Sequence, residues 1–283
     1  MPLAIHNLSQ RFPHKRAFIT GGASGLGLAC AESLAREGWK LILTDVDAER
    51  LDLVAQSLVR EGAQVVAVPC DVRDAAALRA LVDEAAAALG GLDLSIHSAG
   101  VALAGPFTSG SLEDWHWVFD INVHGVANSC RATAPHLARS GGGVIINVAS
   151  AASFCTGANM AAYNTAKAAV VALSETLMQE YAPHGIQVVA AMPGFFRTRL
   201  MASARGPDKV VDHARRIMEE SRIEAPEVAE ALLIAAARGD THFVYPGRYR
   251  MLWRLKRLMP QYFQKLFPRL VQRAAPRPPS KLH

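Results

Sequence analysis

The chain predicts an α/β fold: a single doubly wound domain with a parallel sheet of about seven strands, followed by a basic amphipathic helical extension. Three observations carry this expectation. Short, continuous apolar runs such as Val144-Ile145-Ile146 alternate with helical patterns along most of the 283 residues, as buried parallel strands and their crossover helices do. The first of these runs feeds a glycine-rich turn that opens a helix. Residues 248–283 carry ten Lys/Arg and no Asp/Glu, so a segment of different character follows the alternating part.

The first strand, around Phe18, runs into Thr20-Gly21-Gly22-Ala23-Ser24-Gly25-Leu26-Gly27, and the helical pattern of Leu28, Leu34 and Ala35 stops at Gly38. Glycines there let backbone approach a pyrophosphate, with the amides of the helix start aimed at it. The second strand, 40–44, closes on Asp45, 20 residues beyond Gly25. A carboxylate at that distance accepts from a ribose 2′-hydroxyl and repels a 2′-phosphate, and neither Ser24 nor Val46 offers a compensating cation. Asp45 also suits a cap on the next helix, and both roles stay open. A helix over 48–61, a strand over 64–69, a helix over 75–89 and a strand over 92–97 follow. Next come a long helix over 112–139, a strand over 143–148, a helix carrying Tyr163, and strands over 185–192 and 241–245. Asp45, Asp71, Gly100, Ser150 and Pro193 then stand at carboxyl ends of strands, where open parallel sheets bind ligands.

Tyr163 and Lys167 are four residues apart, which puts them on one helix face. A phenol with its ordinary pKa of about 10 is a poor acid/base at neutral pH. A neighbouring ammonium favours the phenolate, so the spacing predicts a Tyr163 pKa drawn downward. Ser150, just after the apolar run 143–149, offers a hydroxyl to hold a substrate oxygen opposite the phenol.

With these motifs in this order, the chain resembles the short-chain dehydrogenase/reductase family over about residues 14–246. The resemblance implies a Rossmann-type NAD-binding catalytic domain over 14–246; beyond it, composition and spacing predict a basic amphipathic helical extension over 247–273 and a Pro-rich, disordered tail over 274–283. The resemblance also implies Ser150, Tyr163, Lys167 and Asn122 as catalytic residues, Asn122 holding a water that links Lys167 to solvent. Cofactor contacts are expected from Thr20, Gly21, Ser24, Gly25, Leu26, Gly27, Asp45, Asp71, Val72, Ala99 and Gly100. Tyr163, Lys167, Pro193, Gly194 and Thr198 are expected to complete them, with NAD favoured over NADP. The family usually has Asn-Asn-Ala-Gly where this chain has His97-Ser98-Ala99-Gly100. His97 is read as a structural residue in place of an asparagine that braces the sheet.

The expected activity is interconversion of a hydrophobic secondary alcohol and its ketone. Phe154, Met160, Phe195, Phe196 and Met201 are expected to line the pocket, and no metal is expected. A carrier-bound 3-oxoacyl thioester is the alternative substrate, since Arg197, Arg199 and Arg205 lie in the same segments. A cofactor-binding regulatory protein without turnover is the alternative from another class. The four cysteines, Cys30, Cys70, Cys130 and Cys155, are scattered and form no Cys-x-x-Cys, which fits reduced thiols in a cytoplasm and neither a disulfide framework nor zinc. Trp115, Trp117, Val118 and Ile121 on the long helix suit either a homodimer or homotetramer interface or packing within the monomer. In the C-terminal segment, apolar residues recur every three to four positions among the arginines, with Pro260 and Pro268 as breaks. That pattern fits packing on the protein's own body or an anionic membrane surface. No nucleic-acid recognition motif accompanies the charge, so nucleic acid is not an expected partner.

Overall fold

In the computed structural model, residues 3–274 are described. Seven strands form one parallel sheet: β1 (Arg16–Thr20), β2 (Lys40–Thr44), β3 (Val65–Ala67), β4 (Leu94–His97), β5 (Gly143–Val148), β6 (Ile186–Pro193) and β7 (His242–Tyr245). Their order is β3-β2-β1-β4-β5-β6-β7, so the chain winds outward from β1 and returns to its other side at β4. The crevice for a ligand opens at that reversal.

Alternation along each strand divides the core. Ala17, Ile19, Leu41, Leu43, Leu94 and Ile96 face one layer, built from α1 (Leu3–Arg11), α2 (Gly25–Arg36), α3 (Ala48–Arg60) and α9 (Ala225–Ala237). Phe18, Ile42, Ile145 and Val188 face the other, built from α4 (Ala75–Leu89), α6 (Gly125–Arg139) and α7 (Ala161–Glu180). Helix α1 was not expected; Leu8 and Phe12 bury themselves in the first layer, and Ser9 accepts from the buried Trp39 indole.

Register aligns the functional ends. Thr20 pairs with Thr44 and His97, and His97 pairs with Asn147. Gly21, Asp45 and Ser98 therefore leave the sheet at one level, beside Val148, the last residue of β5. The long helix expected over 112–139 is interrupted: α5 (Leu112–Phe119) passes through a π-turn, Asp120–His124, before α6 begins. That wider turn holds the fully buried Asn122, and such turns occur often at functional sites.

After β6 the chain makes a short 3₁₀ turn (Arg199–Ala202) and α8 (Asp208–Glu219), then α9. A backbone bridge joins Leu103 to Arg205: Ala104 N–H donates to Arg205 O, and Arg205 N–H to Ala102 O. This bridge fastens the α8 segment over the loop that follows β4. The extension forms α10 (Gly247–Leu258) and α11 (Pro260–Ala274). Tyr249, Leu252 and Trp253 pack on the second layer, so α10 is anchored to the body. Beyond Ala274, the tail expected to be disordered lies outside the described residues.

Candidate active site

The glycine turn makes a cradle. Gly21 and Gly25 hold positive φ, +68° and +56°, where other residues are strained. A Cβ on Gly27 would stand 2.2 Å from Gly21 O, so bare backbone must stack there. Ser24 is the N-cap of α2 but makes no side-chain cap, and the first turn carries no acid. The opening amides at Gly25, Leu26 and Gly27 thus meet neither a side-chain cap nor a competing carboxylate, which suits a phosphate at the helix start. Thr198 closes over the turn: a Cβ on Gly25 would lie 2.7 Å from its Oγ1.

Asp45 is half-buried beside this cradle, where it accepts from Ala23 N–H and Asp47 N–H, each at 3.1 Å. The helix cap is a different residue, since Asp47 accepts from Arg50 N–H. Arg50 also pairs with Asp47, and Arg199 lies near enough to lower the Asp47 pKa. Sequence reading passed over Arg50 and assigned Arg199 to the pocket segments; the fold brings both, from a helix and from a turn well over a hundred residues away, to Asp47. Thr20 Oγ1 accepts from Ala99 N–H at 3.3 Å. The Asp71 carboxylate is held by Arg73 at 2.6 Å, and the Val72 carbonyl accepts from Asn128.

The residues expected to transfer the proton converge. The Ser150 hydroxyl lies near enough to the Tyr163 phenol to oppose its upward pKa shift, and it accepts from Ala152 N–H at 3.1 Å. Lys167 Nζ donates to Val148 O at 2.9 Å and lies 5.8 Å from the Tyr163 ring centroid. Asn122 Oδ1 accepts from Val101 N–H and its Nδ2 donates to Val101 O, both at 2.9 Å. A Cβ on Gly100 would sit 2.9 Å from Asn122 Oδ1 and 3.4 Å from Lys167 Nζ; the bare glycine keeps those two groups close. The expected pKa direction for Tyr163 is overturned. Burial pushes the phenol up to about 12, opposed by the nearby Ser150 hydroxyl. The same burial pushes Lys167 down to about 8. Desolvation outweighs the attraction that the four-residue spacing promised.

His97 is structural. Asn147 Nδ2 donates to Ser174 Oγ, so Asn147 Oδ1 must accept from His97 Nδ1, 2.7 Å away. Ser95 Oγ then donates to His97 Nε2 at 2.6 Å. Complete burial lowers the imidazole to about 4, keeping it neutral.

Of the expected pocket residues, Met160 and Met201 pack with Tyr163, joined by Ala102, Ala104, Val211 and Met218. The others lie elsewhere. Phe154 belongs to the second core layer and Phe196 to the first, while Phe195 is exposed and its carbonyl accepts from Ser221. Two neighbouring phenylalanines on an irregular segment leave on opposite sides, and sequence gives no period from which to read that. Val211 and Met218 were missed because their seven-residue spacing marks a helix face without saying what it covers. Tyr249 was missed too. A Cβ on Gly194 would lie 2.1 Å from its ring. Cys155 packs in the second layer near Lys256, and burial raises its thiol to about 12.

Residues 15–209 match the family model for short chain dehydrogenase. A cis-4-hydroxycyclohexanecarboxylate dehydrogenase of Sinomonas cyclohexanicum is 35% identical over 81% of this chain and 92% of its own length. A short chain dehydrogenase/reductase of Burkholderia phymatum in complex with NAD superposes with a TM-score of 0.80 at 31% identity, covering 88% of this chain and 94% of that one. A short-chain dehydrogenase of Sphingobium yanoikuyae in complex with NADPH gives 0.75 at 28% identity, covering 88% and 95%. A nicotinamide cofactor fits the bare glycine cradle, the uncapped helix start and the Tyr163–Lys167 pair alike. The chain belongs to the short-chain dehydrogenase/reductase family of oxidoreductases.

Proposed function

We propose that the protein interconverts an apolar secondary alcohol and its ketone, with NAD as the preferred cofactor. One observation carries the substrate class: Tyr163 packs in one apolar cluster with Ala102, Ala104, Met160, Met201, Val211 and Met218. Adaptable methionines accept an irregular apolar body.

The cofactor, when bound, supplies or accepts the hydride. Gly21, Gly25, Leu26 and Gly27 would hold its pyrophosphate and Asp45 a ribose hydroxyl, with Gly194 and Thr198 beside the nicotinamide end. Asp45 disfavours a 2′-phosphate, while Arg50, the nearest cation on the following helix, is already engaged by Asp47. In ketone reduction the Tyr163 phenol donates its proton to the carbonyl oxygen; in alcohol oxidation the phenolate takes that proton back. Ser150 donates a hydrogen bond to the substrate oxygen and fixes it against the phenol. Lys167, when protonated, steadies the phenolate, and with a pKa of about 8 it exchanges its own proton near neutrality. Asn122 holds Val101 and the strand end against the π-turn, which keeps Lys167 in register. The α8 segment shields this chemistry from water and has to open for substrate to reach a phenol only 6% exposed.

A substrate panel tests the reading: cyclic, aromatic and aliphatic secondary alcohols, polyols, and a 3-oxoacyl thioester, each with NAD and with NADP. Reduced nicotinamide formed or consumed is followed by its absorbance. Highest kcat/KM for an apolar alcohol or ketone with NAD is expected. A preference for the polyol or the thioester, or equal efficiency with NADP, would overturn the substrate or cofactor assignment respectively.

A further inference from the structure

Helices α10 and α11 contain eight Lys/Arg and no Asp/Glu. Their inner side is accounted for. Tyr249, Leu252 and Trp253 pack on the body, Phe263 is buried, Lys256 Nζ donates to Phe154 O at 2.9 Å, and Arg257 pairs with Glu175 at 2.9 Å. Their outer side is not. At the corner where α10 meets α11, Leu258 is 81% exposed, with Met251, Met259 and Tyr262 each more than half exposed. Met251 and Leu258 are seven residues apart on one face of α10, and Met259 and Tyr262 continue that patch across the break. Arg254 and Lys265 flank it exposed, and neither forms an ion pair among the described residues. No helix among the described residues is long and apolar enough to cross a membrane.

We propose that this corner docks on an anionic lipid surface, with Met251, Leu258, Met259 and Tyr262 inserted among the acyl chains and Arg254 and Lys265 on the headgroups. The two halves of the patch fit the two layers of a bilayer interface. Unbranched and branched aliphatic side chains protrude where hydrocarbon begins, and a tyrosine with its polar tip stands at their rim, as interfacial tyrosines do. A nucleic acid would use the cations and leave the exposed aliphatics wet. A second copy of this chain would have to bury an unopposed cluster of like charge against its own repetition. Anionic lipid satisfies both features at once. The corner is tied through Lys256 to the segment that follows Ser150. This surface argument does not depend on which alcohol the site accepts.

Co-sedimentation of the full chain with vesicles tests the proposal. The probes are phosphatidylcholine alone and phosphatidylcholine with roughly one-third phosphatidylserine. Wild-type protein should pellet with the anionic vesicles, stay in solution with the neutral ones, and be released as salt shortens the screening length. Leu258→Glu/Met259→Glu and Arg254→Glu/Lys265→Glu should each weaken anionic-vesicle binding at least tenfold. Both double variants should keep the wild-type unfolding midpoint, since they alter only exposed residues. No binding to either vesicle, equal binding to both, or unaltered binding by the folded double variants would overturn the proposal. So would light scattering in which Leu258→Glu/Met259→Glu halves the mass without affecting vesicle binding, because the corner would then be a contact between copies.

Discussion

Replacing Gly194 by alanine tests whether the extension is part of the catalytic frame. Gly194 follows β6 in the Pro-Gly pair and does not need positive φ; what forbids a side chain there is Tyr249. An added Cβ would meet the ring carbons Cε2, Cδ2 and Cζ at 2.1, 2.4 and 2.7 Å. Carbon atoms rest at about 3.5–4.0 Å, so the ring must retreat by more than about 1 Å. The residue belongs to a packed layer, which leaves the ring little room. Overpacking of this kind costs about 1–3 kcal/mol. Gly194→Ala should therefore lose roughly 1–3 kcal/mol in urea unfolding, a fall in Tm of roughly 2–8 °C for a chain of this size. Tyr249→Ala removes the obstacle. In that background the extra methyl should cost almost nothing, giving a coupling of about 1–3 kcal/mol in the double-mutant cycle. If Gly194→Ala is tolerated within about 0.5 kcal/mol, or if the two costs simply add, Tyr249 does not bear on Gly194 and the argument fails.

Tyr163→Phe should lower kcat by 10²–10⁴-fold, the usual worth of a general acid, while cofactor binding measured by fluorescence titration stays near wild type. Because burial holds the phenol near 12, ketone reduction should be flat from pH 6 to 9. Alcohol oxidation, which needs the phenolate, should instead rise about tenfold per unit, less steeply above 8, where Lys167 gives up its charge; an oxidation rate flat from pH 6 to 8 would refute this assignment. His97 is lowered from 6.5 to about 4. Between those values the unfolded chain takes up a proton that the folded chain refuses, so stability falls as pH drops, by up to about 3 kcal/mol. His97→Asn should remove that part of the slope, measured by urea unfolding at pH 7, 5.5 and 4. Asp45→Ala should raise kcat/KM with NADP relative to NAD at least tenfold without abolishing turnover; an unchanged ratio would show that Asp45 does not select.

What could be read from sequence was whatever is written in local period and turn chemistry. Apolar runs and glycines fixed the strands, and parallel register then brought Asp45, Gly100, Ser150 and Pro193 to one edge. The spacing of Tyr163 and Lys167 placed them correctly but misjudged their electrostatics. That error has a definite source: the desolvation comes from Met201, Val211 and Met218, which only the folded chain lays against the phenol. Asn122 was found as a residue, while the π-turn that holds it was hidden inside a helical pattern. Phe154 and Phe196 were drawn into the pocket by their proximity to Ser150 and Pro193 along the chain. Aromatic residues next to a site satisfy the core just as well, and here both do.

The extension shows how a boundary in composition can mislead about mechanics. From residue 247 onward the chain changes charge abruptly, and a reading by charge sets it apart as an appendage. Yet Tyr249 presses on Gly194, on the segment after β6, while Lys256 binds the Phe154 carbonyl on the segment after β5. These segments are the two that frame Tyr163 and Ser150. One turn of α10 is only about 5.4 Å, so residues 249 and 256, two turns apart, brace both segments with a single rigid element. The helix is therefore joined to both segments and not suspended on a linker. The inner face explains why the helix is ordered beside the catalytic chamber, and the outer face, basic and apolar together, gives that order a second use.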